Sequence, residues 1–181
     1  MNIFVLSNDP VEAAILQCNR HIVKMVLESA QMLSTAHRML DGNTSTGVSK
    51  SGKRTVKKYV HLELDHVLYK AVHFNHPCTV WTMKTSGNYQ WHYDHFVALC
   101  DEYTYRYGRE HLTDTKLRDV LKQLPKNITI GNRTQFALAM GDNPECQFPN
   151  DPVKSYRLFY QTKQDRFNMG WTKRDVPQWI S

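Results

Sequence analysis

The sequence predicts a mostly α protein, an irregular single-domain helical bundle with at most two short strands. Three observations predict it. A chain of 181 residues that is 41% hydrophobic can build one core of ordinary size and has little room for two. Apolar residues recur at helical spacing in several separate stretches, and these open on Asp-Pro pairs or close on Gly and Pro. No internal repeat and no heptad seam runs through the chain, which excludes a solenoid and a coiled coil.

In chain order, the apolar start from Ile3 to Leu6 reads as a first short strand. Asp9 then caps a helix with Pro10 at its first position and Glu12 at its third, a capping-box-like start. Good helix formers continue to Leu40, where Asp41-Gly42 stops them, so one helix about 45 Å long is expected at 1.5 Å per residue. Residues 42–58 are rich in Gly, Ser, Thr and Lys without apolar periodicity, and read as a mobile basic loop. A second helix is expected over Val60 to Phe74, ended by Asn75-His76-Pro77, because the residue before proline avoids the helical region. A helical turn through Val80 and Trp81 follows. Between Asn88 and Tyr107, residues Tyr89, Tyr93, Phe96, Cys100, Tyr103 and Tyr107 share one side of a helix that Gly108 terminates. Thr113 to Leu124 reads as a helix stopped by Pro125. Residues 125–150 are punctuated by Pro and Gly around a short apolar turn, Phe136 to Met140, with a second short strand at Asn127 to Ile130. Asp151-Pro152 repeats the cap-and-proline start and opens a last helix through Arg166. Residues 169–181 read as an extended tail docked by its tryptophans.

Composition bounds the function classes. No apolar run approaches the roughly 20 residues that span a bilayer, and Met1 to Asp9 lacks the basic and apolar regions of a secretory signal, so a cytoplasmic chain with no membrane partner is expected. Cys18, Cys78, Cys100 and Cys146 are scattered without a Cys-x-x-Cys pair, and read as reduced thiols. Lys plus Arg exceed Asp plus Glu by 23 to 17, a net +6 that favours a polyanion, DNA foremost.

Projected at 100° per residue, the first helix gathers Gln17, Arg20, His21, Lys24, Glu28, Gln31, Thr35 and Arg38 within about 100° of arc. Such a stripe is either a solvated face or one wall of a site. The solitary carboxylate among bases and amides favours a site, since that mixture binds phosphate and keeps one ionised base alongside. His37 falls on the apolar side, as a core histidine would. On the second helix His66, Tyr69 and His73 share a side, and His61 with Asp65 has the spacing of a metal pair. No third ligand and no His-Glu-x-x-His sequence accompanies them, so no metal is assigned. His76 before Pro77, with Asn88, Tyr89 and Trp91, lines a pocket mouth or fixes a tight turn.

Near the end, Tyr156, Arg157, Tyr160, Lys163, Arg166, Trp171, Lys173 and Arg174 interleave cations with aromatic rings. A nucleic-acid groove has that composition, and so does a helix with an aromatic core side and a wet cationic side. No Gly-x-Ser-x-Gly, Gly-x-Gly-x-x-Gly or Walker sequence is present, and no cofactor is assigned.

The stretches NRHIVKMVLESAQML, HPCTVW, NYQWHYDHF, CDEYTYRYG, PKNI, DPVKSYRLFY and WTKRDVPQW resemble a group of uncharacterised proteins carried by tailed bacteriophages, over nearly the whole chain. That resemblance implies a bacteriophage relative acting in the host cell, and no particular reaction. More distantly, the chain resembles the phage pyrimidine-dimer DNA glycosylases of the endonuclease V type. In that family the first helix presents an Arg-Glu pair to damaged DNA, and the nucleophile is the amino group of a Thr exposed by Met removal. Arg20-His21 stands where Arg-Glu would be, Lys24 matches a following Arg, and Tyr156-Arg157 through Trp171-Thr172-Lys173 echoes the family's basic, aromatic end. Asn2 is a poor residue for exposure by Met removal, and the family's Glu falls on His21.

The resemblance therefore implies that Glu28, two turns along the stripe, supplies the carboxylate, with His21 as its catalytic companion. Arg20, Lys24, Arg157 and Lys163 would hold phosphates, Gln31 and Asn88 would read base edges, and Tyr89 and Lys173 would complete the nucleic-acid-binding set. Three functions are expected on these grounds. The first is a DNA-acting, glycosylase-like enzyme working on a flipped base; the second is a transferase that modifies phage DNA bases. The third is a non-catalytic protein that binds DNA or a host protein.

Overall fold

The structure, a computed structural model, describes residues 1–49 and 51–180. It is mostly helical, with α1 at Pro10–Ile15, α2 at Asn19–Leu40, α3 at Pro77–Lys84, α4 at Ser86–Tyr107, α5 at Leu112–Leu121 and α6 at Pro152–Gln161. The strands β1, Asn43–Val48, and β2, Thr55–Val60, form one antiparallel pair. A 3-10 turn at Pro144–Cys146 precedes α6. The two long helices, α2 and α4, pack on each other, and α1, α3 and α5 pack around them. Ile22, Met25 and Leu33 of α2, Phe96 and Leu99 of α4, and Leu117 and Leu121 of α5 are fully buried between them. Each such side chain contributes about 1.5–3 kcal/mol of hydrophobic stabilisation. No described helix is long and apolar enough to cross a membrane.

The long first helix expected from the sequence is two helices. Asp9 caps α1 as anticipated, accepting from the Glu12 amide at 2.8 Å. The helix then stops because its last carbonyls are taken from outside: Arg106 Nη2 donates to Ile15 O at 2.9 Å and Trp171 Nε1 to Leu16 O at 3.0 Å. The amides that would have reached back are also redirected, Cys18 N to the Tyr160 hydroxyl at 2.9 Å and Asn19 N to Gly170 O at 2.8 Å. All these partners are distant in sequence, so tertiary hydrogen bonds replace the helical ladder without a local breaker.

The helix expected over 60–74 does not form, and those residues run from the end of β2 through a series of turns. Arg38 explains it. Its Nε donates to Tyr69 O at 2.6 Å, Nη1 to Tyr59 O at 3.0 Å and to the Asp65 carboxylate, and Nη2 to Asp65 O at 3.1 Å and Leu68 O at 2.9 Å. Thr35 Oγ1 also accepts from Val72 N at 3.1 Å. Carbonyls that a helix would satisfy internally are held by α2 instead, which turns the far end of its polar stripe into a covered wall. His66, Tyr69 and His73 therefore share no helix face, and Asp65 pairs with Arg38 rather than with His61.

The basic loop is a β-ribbon. Thr44 stands opposite Tyr59 and Thr46 opposite Lys57, and the β-branched and aromatic residues of Thr55–Val60 suit the extended backbone. Gly42 is required at its base, since a Cβ there would lie 2.4 Å from Arg38 O. The two strands expected elsewhere are absent among the described residues. Ile3 to Leu6 threads the core unpaired, broken by Phe4 at φ 54° and a bond of 2.8 Å from Leu6 N to Phe4 O. Asn127 to Ile130 instead docks on the start of α4, where Thr129 O accepts from Ser86 N at 2.8 Å.

Elsewhere the expectations hold more closely. α4 ends on Gly108 at φ 67°, α3 is a full eight residues, and the tail docks through buried Trp171. α6 stops at Gln161, short of Arg166, because the chain turns back at Lys163, whose amide donates to Tyr160 O.

Candidate active site

The start of the chain and the middle of α2 meet at Glu28. Its side chain is only 14% exposed, and its oxygens are shared among donors. Oε2 accepts from Asn2 N at 3.2 Å and lies 3.6 Å from the amino group of Met1, while Oε1 pairs with Lys24 Nζ at 3.1 Å. Lys24 is i−4 on the same helix, the spacing that stacks side chains on one face. Asn2 is buried and pins this arrangement: its Oδ1 accepts from Ile3 N at 2.8 Å and its Nδ2 donates to Ala139 O at 3.0 Å.

The loop that Arg38 holds against α2 delivers two histidines to the same place. His76 caps α3, accepting from Cys78 N on Nδ1 at 3.2 Å, with Pro77 at the first helical position. Because Nδ1 is an acceptor there, the neutral ring carries its proton on Nε2. Burial lowers the pKa of His76, the Met1 amino group and His73 add to that effect, and Glu28 opposes it. Those couplings place His76 in the same field as the carboxylate. His73 has φ 47° and Phe4 φ 54°. Phe4 N is bonded to Asn2 Oδ1 and His73 lies within the field of His76, so two of the three non-glycine residues with positive φ among those described adjoin residues of this region; such strain persists where surrounding structure holds it.

Cations from the turns after α6 complete the region. Lys163 is 7% exposed, its Nζ sits 3.4 Å from the centre of the Phe159 ring, and it has no carboxylate partner among the described residues. Burial brings its pKa down to about 8, helped by the charges of Arg166 and Lys24. Arg20 is exposed and lies 4.8 Å over the Phe167 ring. Arg20, Lys24, Lys163 and Arg166 thus form a cationic patch around the rim, linked through His21, which feels the first three.

His21 itself is not available for chemistry. It is 6% exposed, stacks on Phe4 with ring centres 4.7 Å apart, and meets the edges of Tyr160 and Phe167. The Tyr160 hydroxyl accepts from Cys18 N at 2.9 Å and shares a hydrogen bond of 2.7 Å with His21 Nδ1. Burial drives the His21 pKa down to about 4, helped by the charges of Lys24, Lys163 and Arg20, so the ring stays neutral and packs as part of the core.

Of the other residues singled out in the sequence, Gln31 is half-buried one turn from Glu28 on the same face. Asn88 and Tyr89 are not at the site. Asn88 is fully buried, donating to Trp81 O at 2.7 Å and accepting from Thr134 N at 2.7 Å, and so fastens residues 131–134 to the head of α4. The Tyr89 hydroxyl bridges His37 Nε2 at 2.8 Å and Leu121 O at 2.9 Å in the core. Arg157 Nε donates to Leu6 O at 2.9 Å and supports the buried start of the chain. Lys173 turns to the end of α4, donating to Tyr105 O at 2.8 Å. What the residue pattern did not assign to the site is the Met1–Asn2 segment and His73; His76-Pro77 carried the available signal, a capping histidine before a helix-starting proline.

One group has metal-ligand spacing: His37, Asp41 and His61 offer atoms within 4.8 Å of one another. His37 Nε2 meets Tyr89, His61 Nδ1 is in bonding range of the amides of Glu63 and Leu64, and Asp41 accepts from Lys126 N at 2.7 Å and Asn127 N at 2.9 Å. These bonds make the three a latch joining the end of α2 to two loops.

No protein-family model matches the chain, and no curated protein or solved structure was found to match it.

Proposed function

We propose that the protein acts on DNA, removing a base from a nucleotide extruded into the site at Glu28. One observation carries this reading: a largely buried carboxylate between two amines, at the edge of a patch of four cations contributed by α2 and the turns after α6. A phosphate arriving at Lys24 competes for its ammonium and frees Oε1, so binding would switch the carboxylate on. The Glu28 charge stabilises the developing sugar cation, and the carboxylate then takes the proton from the water that attacks C1′. The electron pair of the breaking glycosidic bond leaves with the base. His76 Nε2–H, held as a neutral donor by its capping bond, stands where it could hydrogen-bond the departing base; a neutral imidazole fixed at a helix start is a known electrophile of this type.

The resemblance to the phage pyrimidine-dimer glycosylases supports base excision beside a carboxylate, with water here in place of that family's amine nucleophile. Glu28 takes the role that the buried His21 cannot perform, and Lys163 and Arg20 join Lys24 in holding phosphate. The test is mass spectrometry of duplexes carrying ultraviolet photoproducts or modified pyrimidines after incubation with the protein. Free base and abasic sites are expected; a gain of mass on the base points to transfer instead, and unaltered duplexes across the panel overturn the proposal.

A further inference from the structure

We infer that the β1–β2 ribbon is a second nucleic-acid contact, which enters the major groove of B-form DNA. Residues 42–60 hold five cations and no acidic residue. Lys53 and Arg54 lie in the turn, which closes through Gly52 at φ 72° and a bond of 2.8 Å from Ser49 N to Arg54 O. Lys57 and Lys58 follow on β2, opposite Thr46 and Ser45. All four are exposed, and none is in an ion pair among the described residues.

The ribbon has no core behind it. Only Gly47, Val56 and Tyr59 are even partly covered, and it is fixed at its base, where Tyr59 packs on Phe74 and Tyr59 O accepts from Arg38. At the base, Lys57, Lys58, Tyr59 and Lys70 line a cavity of about 370 Å³ together with the Arg38–Asp65 ion pair, three lysines against one carboxylate that is already paired. Beyond it β1 presents Asn43, Thr44, Ser45 and Thr46, small hydrogen-bonding side chains without bulk. Gly47 leaves the space that the Lys58 chain crosses, since a Cβ there would come within 2.5 Å of Lys58 Cε.

Dimensions select the occupant. Six residues per strand make an arm about 20 Å long at 3.4 Å per residue. The B-DNA major groove, about 12 Å wide, admits a two-stranded ribbon, whereas the major groove of duplex RNA is too deep and narrow for side chains to read. From Glu28 to the ribbon's base α2 rises about 20 Å at 1.5 Å per residue, which matches roughly six base pairs. A duplex with its extruded nucleotide at Glu28 would therefore offer the ribbon a groove about half a helical turn away. The partner rests on the DNA reading above, but no chemistry at Glu28 is required.

The experiment compares wild type with the K53A/R54A/K57A/K58A variant on a labelled 20-base-pair DNA duplex and on the RNA duplex of the same sequence. Fluorescence anisotropy across a salt series is the readout, with dimethyl sulfate protection on the DNA. Wild type should protect guanine N7, the major-groove atom. The variant should lose that protection, bind DNA at least tenfold more weakly, and show a log-affinity against log-salt slope flatter by about 2–4, near 0.9 per phosphate contact. Its affinity for the RNA duplex should change less than threefold. Matched thermal unfolding shows that the variant folds, and Thr46→Glu, one carboxylate beside Lys57, should weaken DNA binding in the same direction.

Equal DNA affinity and slope in wild type and variant overturn the inference. So does protection confined to adenine N3 in the minor groove, or an equal loss on RNA. Ribbon-dependent affinity from a protein that excises no base keeps the ribbon and sinks the excision reading; excision by a protein whose affinity ignores the ribbon does the reverse.

Discussion

Replacing Arg38 with methionine removes five hydrogen-bond donors at once and tests how the site loop is held. The guanidinium reaches four main-chain carbonyls and one carboxylate on residues 59–69. Leu68 O is buried, and leaving it unpaired costs about 1–3 kcal/mol; the other three carbonyls are partly buried and lose about 0.5–1 kcal/mol each. The Asp65 carboxylate adds little, since its side chain is 52% exposed. The total is about 4 kcal/mol, read as a shift in urea denaturation followed by tryptophan fluorescence. Amide exchange should speed up across 59–72 while α4 keeps its protection. Arg38→Lys should recover less than half, because an ammonium cannot reproduce the planar fork. A loss under 1 kcal/mol, or unchanged exchange in 59–72, would refute the account of why this segment is not helical.

Lys163 gives a pH dependence. Its folded pKa of about 8 lies below the 10.5 of the free side chain, so the folded state releases the proton first and stability rises from pH 8 towards 10.5; that rise should shrink in Lys163→Met, and DNA affinity should fall as pH passes 8. His76→Ser keeps a capping oxygen but removes the ring N–H, so turnover should drop about 10²- to 10³-fold with the unfolding midpoint unmoved; equal losses of both would make His76 structural. Asn88→Ala leaves the Trp81 carbonyl and Thr134 amide unpaired and should cost about 2–3 kcal/mol of stability, with DNA affinity per folded molecule unchanged. Addition of Zn(II) should leave thermal unfolding unmoved if His37, Asp41 and His61 serve only as a latch, whereas a clear upward shift would assign a metal there.

Much of the fold could be read from local chemistry. The Asp9-Pro10 and Asp151-Pro152 starts, the aromatic stripe of α4 and its Gly108 stop each act within a few residues, and each appears where expected. What escaped was decided at long range. Nothing near Leu16 announces a break, because the groups that make it are Arg106, Tyr160, Gly170 and Trp171. The 61–76 segment has helix-forming residues, but its carbonyls are captured by Arg38, a partner the local pattern does not show.

The site divided in the same way. Lys24 and Glu28 share a helix face by spacing alone, so their pairing was legible, while burial of His21 depended on Phe4 and Tyr160 from both ends of the chain. Asn88 and Tyr89 were misplaced because an amide and a phenol look alike in sequence whether they read a ligand or fasten a helix. The ribbon was hidden for a different reason: with both faces exposed it has no buried side, and hence no strong alternation of polar and apolar residues to reveal it.

The most direct measurement is single-turnover base release by Glu28→Gln alongside its equilibrium affinity for the same duplex. Release should fall about 10²- to 10⁴-fold, the range for loss of a positioned acid–base group, while affinity stays within threefold or tightens as a negative charge leaves the phosphate-binding patch. Release at the wild-type rate would remove the carboxylate from the chemistry and with it the account of this site.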